Sequence, residues 1–281
     1  LKEKEINLKI AADYSEEMVE AAYRVLGEIV NILETYADDM MIVGGWVPSL
    51  LFQSDDHIGS IDVDVLLNEN EIGHAENYEN IKTILIRNGY KKHPQKYFTF
   101  FKTIEINGNN YDVDVDLLSG KYGGDSGSVS KHIDGIKALP ATGGDFAFEF
   151  PANCVKIDYI RPDGASDIGH VRVIAIIPYI VMKTAALGRG KPKDAYDIYY
   201  CIEHYDGGVQ KLLQEMLPYK NKELIKKTCE KLQEKFASPS HAGPFDIVNF
   251  LEIVDEEEKA MIRQDAYQKI KLLTDGLSEK N

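Results

Sequence analysis

Aspartates alternate with apolar residues in two short segments of this chain. The first segment is Ile61-Asp62-Val63-Asp64-Val65, and the second is Tyr111-Asp112-Val113-Asp114-Val115-Asp116. Successive side chains of a β-strand point to opposite faces of its sheet. Each segment therefore predicts a strand that buries its apolar residues and gathers its carboxylates on the other face. Because aspartate is disfavoured in strands, five aspartates on two short strands require a cause.

A divalent cation would supply that cause. Neighbouring carboxylates repel one another and raise each other's pKa. A hard cation such as Mg²⁺, which is held by a few carboxylates together with substrate phosphates, reverses this cost. The alternative is that the aspartates face water on a half-exposed sheet, and a single Asp-x-Asp pair would favour it. The two acidic strands together favour a metal site.

A pair of glycines, Gly44-Gly45, follows the apolar run Met40-Met41-Ile42-Val43. The run is too short for a helix and predicts a strand, and residues 46–52 predict a helix after it. Glycines at such a position let backbone N–H groups approach a phosphate, and the helix N-terminus adds a favourable dipole. The pair alone is a weak signal, because most such pairs are turns. It fits neither a P-loop nor a Rossmann glycine motif.

The other elements are predicted from hydrophobic periodicity and turn signals. Asn107-Gly108-Asn109-Asn110 separates two β-rich runs and is a strong hairpin signal, and the stretch 119–144, rich in Gly and Ser, predicts a long loop or flap. The predicted helices are 14–37 and 78–89, and the predicted strands are 61–67, 96–106, 111–118, 155–160 and 170–177. From Pro178 onward only helical patterns occur. The sequence therefore predicts an α+β protein, with a mixed sheet flanked by helices in residues 1–177 and an all-helical domain in residues 178–281.

The charge balance and the cysteines limit the possible surroundings. With 32 basic and 46 acidic residues the net charge is −14, which repels nucleic acid and anionic membranes in general but leaves room for one local basic patch. No apolar segment is long enough to predict a transmembrane helix, and the charged start does not resemble a secretory signal. Three widely spaced cysteines without a CxxC pair predict a reducing cytoplasm, no disulfide framework and no zinc site.

The order of these motifs resembles a known family. A strand, Gly-Gly, a helix, an acidic strand with two alternating aspartates and a later acidic strand look like the nucleotidyltransferase fold of the DNA polymerase β superfamily. The resemblance implies that Gly44 and Gly45 hold a nucleoside triphosphate and that Asp62 and Asp64 bind metal. It implies a third carboxylate from the second acidic strand. Asp116, which precedes two leucines, is preferred to Asp114.

A second motif opens the helical half, from Met182 to Ile198. Its pattern M-K-x-x-A-L, then R-x-K-x-K-D-x-x-D-I, resembles the C-terminal motif of AbiEii-type toxins of abortive-infection and toxin–antitoxin systems. The resemblance implies Lys183 as a phosphate-binding cation, Arg189 and Lys193 as supporting cations, and Asp194 or Asp197 as a further catalytic group. The alternative is that these aspartates cap a helix or form ion pairs.

The resemblance implies a Mg²⁺-dependent nucleotidyltransferase that uses two metal ions, with Mn²⁺ as a substitute. It would transfer a nucleoside monophosphate from an NTP to a hydroxyl of an acceptor, which is RNA such as tRNA, a protein or a small molecule. An antitoxin protein is a further expected partner. The chain departs from the family at Gly45-Trp46, where many members have Gly-Ser. The alternative is therefore a catalytically degenerate module of the same fold that binds a nucleotide or an antitoxin.

Overall fold

The structure is a computed structural model that describes residues 10–53, 56–68, 72, 80–121, 131–133 and 136–279. These residues form two compact units. One comprises residues 15–182, and the other comprises residues 183–279 together with residues 10–14. The protein is α+β, as the sequence predicts.

A mixed sheet occupies the unit of residues 15–182. Its strands are β1 (Met40–Val43), β2 (Val63–Leu67), β3 (Lys91–Lys92), β4 (Thr99–Ile106), β5 (Asn109–Lys121), β6 (Lys131–Ile133), β7 (Ile136–Thr142), β8 (Asn153–Ile160) and β9 (Ser166–Val173). Among the described residues the strand order is β3-β4-β5-β2-β1-β9-β8, and β7 branches off by pairing with both β5 and β6. The central strands bury their apolar residues, as at Val63, Val65 and Val115, which are fully inaccessible to solvent.

Helices flank this sheet. They are α1 (Glu16–Ile32), α2 (Val47–Phe52), α3 (Ile81–Arg87), α4 (Gly144–Ala147) and α5 (Ile176–Ala186). Ser15 caps the start of α1, because its hydroxyl accepts a hydrogen bond from the Met18 amide at 3.3 Å. α1 packs closely on β8, since a Cβ added at Gly27 would lie 2.3 Å from the Tyr159 ring.

The other unit is helical. It contains α6 (Lys193–Glu203), α7 (Gly208–Met216), α8 (Glu223–Lys235), α9 (Ala242–Phe250) and α10 (Glu256–Ser278). Residues 10–14 belong to it, because the Tyr14 and Phe250 rings meet edge to face with centroids 5.8 Å apart and the Ala12 amide donates to Glu252. The sequence placed residues 1–177 in the first domain. The structure instead carries that unit into α5 as far as Met182, where Val181 packs against the Gly143 backbone.

The predicted loop or flap over 119–144 is wrong within the described residues. β5 continues to Lys121, and β6 and β7 both lie in this stretch; residues 122–130 and 134–135 lie outside the described part of the chain. Gly120 lies in β5, and a Cβ at this position would be 1.7 Å from the Asp145 Oδ1 atom of α4. Gly120 thus marks a close approach of α4 to the sheet rather than a loop.

Other boundaries shift by a few residues. The hairpin at Asn107-Gly108 is confirmed, with both residues at positive φ and Ile106 opposite Asn109. β2 begins at Val63, so Asp62 precedes the strand on which it was expected. The predicted helix over 78–89 is described as α3, and residues 78 and 79 lie outside the described residues. No helix within the described ranges has both the length and the apolar character that crossing a bilayer requires.

Candidate functional site

The chain bends at Gly44, directly after β1. Gly44 has a φ of +73°, a left-handed conformation that favours glycine. A Cβ at this position would lie 1.8 Å from the Asp64 Oδ2 atom, so glycine is required both by the backbone and by the neighbouring carboxylate. The bend continues through a 3-10 turn, Gly44–Trp46, into α2, which has a proline in its first turn.

Two strand pairings bring Asp64 and Asp116 together beside this bend. β1 and β2 are antiparallel with Val43 opposite Asp64, and β2 and β5 are parallel with Asp64 in register with Asp116. Residues in register on neighbouring strands share a sheet face at a strand spacing of about 4.8 Å. Asp116, rather than Asp114, is therefore the aspartate of β5 that lies level with Asp64. Both carboxylates are partly exposed.

Asp62 lies in the bend before β2 and is held there by two hydrogen bonds. The Ser60 hydroxyl donates to its Oδ1 atom at 2.6 Å, and the Trp46 indole N–H donates to its main-chain carbonyl at 2.8 Å. Trp46 is buried. The residue that departs from the family pattern thus supports the segment that carries Asp62. Neither Ser60 nor Trp46 was identified from the sequence in this role.

Asp116 is in an unfavourable environment for a negative charge. Burial raises the pKa of its carboxyl group to about 6, and the charges of Asp62 and Asp114 add to this. Two groups act in the opposite direction. The Thr99 hydroxyl donates to the Asp116 Oδ1 atom at 2.6 Å, and the Lys96 ammonium attracts the charge. A bound cation would relieve the remaining repulsion.

Lys96 is a residue of this site that sequence reasoning missed. Its Nζ lies 2.8 Å from the Asp114 Oδ2 atom. Burial alone would lower the pKa of its ammonium group, but Asp114, followed by Asp116 and Asp62, raises it above its usual value. The sequence predicted Lys96 as the first residue of a strand over 96–106, but β4 begins at Thr99, and Lys96 contacts Asp114 from the segment between β3 and β4. Thr99 could have been found, because counting outward from the Asn107-Gly108 turn places it opposite Asp116.

The donor set suits a hard cation, but the described residues do not present a finished metal centre. Carboxylate and hydroxyl oxygens are the ligands that Mg²⁺ prefers. In the described part of the chain, no group of three or more His, Cys, Asp or Glu side chains is arranged to hold a metal ion. Asp64 and Asp116 are adjacent in register, whereas Asp62 is turned toward Ser60. Asp62, Asp64 and Asp116 therefore remain a predicted metal set, with Asp64 and Asp116 at its centre.

The second predicted motif forms a buried ion-pair network in the helical unit. Lys183, in the last turn of α5, contacts both Asp194 and Asp197 at 2.8 Å. Lys193 contacts Asp197, its neighbour one turn along α6, at 2.8 Å. Asp197 is fully buried, and Asp194 and Lys193 are each 6% exposed. The alternative of ion pairing thus describes the geometry of both aspartates.

The two lysines of this network differ in their titration. Burial alone would lower the pKa of the Lys183 ammonium, but the charges of Asp194 and Asp197 raise it well above its usual value. At Lys193 burial dominates, and the pKa lies below its usual value despite the Asp197 carboxylate. Arg189, the other predicted cation, is exposed in the segment between α5 and α6 and stands outside the network.

Comparison with known proteins gives little further information. No protein-family model and no curated protein matches the chain. Among solved structures, the chain is similar to JHP933 from Helicobacter pylori, with 14% sequence identity, a TM-score of 0.42 and 94% of each chain covered. The functional argument therefore depends on the chain's own residues.

Proposed function

We propose that this protein is a nucleotidyltransferase that transfers a nucleoside monophosphate from an NTP to an acceptor hydroxyl. One observation carries the proposal. The backbone bends at Gly44, where a Cβ would strike the Asp64 carboxylate, and Asp64 lies in register with Asp116 on the neighbouring strand. A bend of small residues followed by a helix can approach phosphates, and oxygen ligands beside it can hold the Mg²⁺ that accompanies them.

Each residue of the site has a proposed role. Gly44 and Gly45 contact the phosphates, and Asp62, Asp64 and Asp116 hold Mg²⁺. When bound, the cation would neutralise charge on the leaving pyrophosphate and activate the acceptor hydroxyl. Ser60 and Trp46 position Asp62, and Thr99 orients Asp116. The carboxylate of Asp116, whose pKa is raised to about 6 in the protein alone, is the candidate group for accepting the hydroxyl proton.

The residues of the helical unit have a supporting part in this proposal. Lys183, Lys193, Asp194 and Asp197 neutralise one another, so their immediate effect is to fix the start of α6 relative to the end of α5. Arg189 is exposed and stands outside these pairs, and it is the residue of the motif best placed to meet a phosphate.

The test is pyrophosphate release with each NTP, Mg²⁺ or Mn²⁺, and pools of RNA, protein and small-molecule acceptors. Asp64→Asn and Asp116→Asn should each lower the rate by about a thousandfold, which is typical for the loss of a group that stabilises developing charge. Asp112→Asn is the matched control. Asp112 lies on the same strand, is exposed, and accepts from Thr103 as Asp116 accepts from Thr99. Equal effects of Asp112→Asn and Asp116→Asn would contradict the proposed site.

A second candidate function is nucleotide or antitoxin binding without turnover. It is favoured by the lack of a finished three-carboxylate metal centre among the described residues and by tryptophan in place of serine after Gly45. NTP binding measured by calorimetry, with no pyrophosphate release from any acceptor pool, would favour this candidate over the enzyme.

The subgroup and the acceptor are further parts of the proposal. A toxin of an abortive-infection system should arrest growth when it is expressed in a heterologous host, and the Asp64→Asn variant should not. Growth arrest that is equal for both chains would contradict a nucleotidyltransferase toxin. Labelled NTP incorporated into RNA, protein or a small molecule would identify the acceptor.

A further inference from the structure

Two shallow clefts lie end to end along strand β8, in the unit of residues 15–182. One has a volume of about 350 Å³ and includes Val155, Lys156 and Ile157 of β8 in its lining. The other has a volume of about 510 Å³ and includes Asp158, Tyr159 and Ile160. Tyr23 of α1 lines both clefts. Six consecutive residues of one strand therefore line a continuous surface, called here the β8 groove, about 20 Å long at the rise of a strand.

β8 is an edge strand. It is the last strand in the sheet order and pairs with β9 on its inner side. Within the ranges that the structure describes, no strand pairs with its outer edge. An edge strand offers unpaired N–H and C=O groups to another extended chain, and strand addition to such an edge is a common mode of peptide recognition. The groove therefore has the backbone chemistry for an extended peptide.

One end of the β8 groove is acidic. Glu20, Asp158 and Asp167 line the 510 Å³ cleft, and no lysine or arginine is among the described residues that line it. Glu20 pairs with Arg24 and Asp167 lies near Arg161, whereas Asp158 has no ion-pair partner among the described residues. Burial, followed by the charges of Asp158 and Glu20, raises the pKa of the Tyr23 hydroxyl. A cation would be favoured at this end.

The other end of the β8 groove combines apolar and polar residues. Its lining includes Val19, Trp46, Leu50 and Ile58, together with Ser49, Gln53, His57 and Lys156. The ring of Trp46 lies beside that of Tyr23, with centroids 5.4 Å apart. An apolar side chain would be favoured beside the apolar residues of this end. The two ends of the groove therefore favour different side chains of a bound segment.

We propose that the β8 groove binds an extended segment of a partner protein, which adds a strand to β8 and places lysine or arginine beside Asp158 and an apolar residue beside Trp46. Charge complementarity selects this occupant. Nucleic acid would be repelled by the acidic end, and two copies of a protein of net charge −14 repel one another in general. The inference does not depend on the proposed catalytic activity.

The test uses the fluorescence of Trp46, the single tryptophan of the chain. The full chain is titrated with acetyl-Lys-Thr-Lys-Val-Thr-Val-Thr-amide and with the same residues in reverse order, since a strand can add in either direction. At least one peptide should give a saturable change with a dissociation constant below about 1 mM. Two control peptides have glutamate in place of lysine, or N-methyl groups on alternate amides. Each control should bind at least tenfold more weakly.

Charge reversal on the chain gives a second, independent measurement. Asp158→Lys should weaken the lysine peptide at least tenfold and strengthen the glutamate peptide. Glu105→Lys, the same change at an exposed position of β4, is the matched control and should leave both peptides unchanged. The thermal midpoint of each variant checks folding, and the peptide controls on the unaltered chain remain decisive if Asp158→Lys is unstable.

Several outcomes would overturn the inference. They are no saturable change with either lysine peptide, equal binding of the glutamate or N-methylated peptides, and equal effects of Glu105→Lys and Asp158→Lys. Light scattering that shows a dimer of this chain, disrupted by Asp158→Lys and not by Glu105→Lys, would make the occupant a second copy and would also overturn it.

Discussion

The two units of this protein use aspartate in opposite ways. In residues 15–182, the carboxylate cluster of Asp62, Asp64, Asp114 and Asp116 is partly exposed and has Lys96 as its basic neighbour. In the helical unit, the ion-pair network of Lys183, Lys193, Asp194 and Asp197 is buried and contains two charges of each sign. The first arrangement has an excess of negative charge, and the second is balanced.

This difference in charge balance distinguishes aspartates suited to bind a ligand from aspartates that stabilise the fold. A balanced and buried network satisfies its own charges and has little attraction left for a ligand, while the loss of one member leaves an uncompensated charge. An excess of carboxylates lowers the stability of the folded protein through their mutual repulsion. Such a cluster is expected where a bound ligand supplies the positive charge that the protein lacks. This argument supports the carboxylate cluster as the proposed binding site, and it gives the ion-pair network a structural role between the end of α5 and the start of α6.

The largest expected effect is the removal of Asp197 from the ion-pair network. Asp197→Asn leaves two buried lysines with one carboxylate, Asp194, and should lower the free energy of unfolding by about 3–5 kcal/mol. Urea unfolding measures the loss. The double variant Asp197→Asn/Lys193→Met removes the unpaired lysine as well and should recover part of the stability, because Lys183 and Asp194 still form a pair.

The same double variant tests the contrast between the carboxylate cluster and the ion-pair network. If the two substitutions are simply additive, so that Lys193→Met adds its own loss, the network is not the coupled unit that the distances indicate. The argument that it is structural would then lose its basis.

The second expected effect concerns the glycine bend beside the carboxylate cluster. Gly44→Ala combines left-handed strain with a Cβ 1.8 Å from the Asp64 carboxylate and should destabilise the protein by about 2–4 kcal/mol. Gly108→Ala is the matched control, because Gly108 has a φ of +82° and no atom of the described residues lies within 4 Å of its Cβ position. It should lose only the strain, about 1 kcal/mol. Equal losses in urea unfolding would show that Gly44 is a turn residue and nothing more.

Much of the carboxylate cluster could be predicted from the sequence, because it depends on short-range patterns. Alternation placed Val63, Val65 and the aspartates around them on opposite faces, and the Asn107-Gly108 turn fixes the register that sets Thr99 opposite Asp116. The parallel pairing of Asp64 with Asp116 joins segments about 50 residues apart. This pairing is consistent with a shared site, but no single turn joins the two strands, so their register could not be derived from the sequence.

The remaining features depend on contacts between distant segments. Lys96 was expected at the start of a strand and instead contacts Asp114 from the segment between β3 and β4, and Trp46 reaches the Asp62 carbonyl from the turn before α2. β7 was missed because a stretch rich in glycine resembles a loop, although its pairing with β5 outweighs its composition. The i, i+4 pair of Lys193 and Asp197 was visible in the sequence, but the contact of Lys183 with both aspartates requires the packing of two helices.

The smallest expected effect has the opposite sign and tests the acidic excess directly. The pKa of Asp116 is about 6 in the folded protein and about 4 in an unfolded chain. Between these values the folded state retains a proton that the unfolded state releases, so its stability falls as the pH rises from about 4 to about 6.

Asp116→Asn removes this cost and keeps an oxygen for the Thr99 hydroxyl. The variant should therefore be more stable than the unaltered chain by about 1–3 kcal/mol at pH 7.5 and equally stable near pH 3.5. Asp112→Asn, on the same strand, should follow the unaltered chain at both pH values. Mg²⁺ should narrow the difference in the free energy of unfolding between Asp116→Asn and the unaltered chain at pH 7.5, because a bound cation stabilises the charged carboxylate and not the amide. If Asp116→Asn is instead less stable at pH 7.5, the cluster is balanced like the ion-pair network, and the physical reason for placing a cation there disappears.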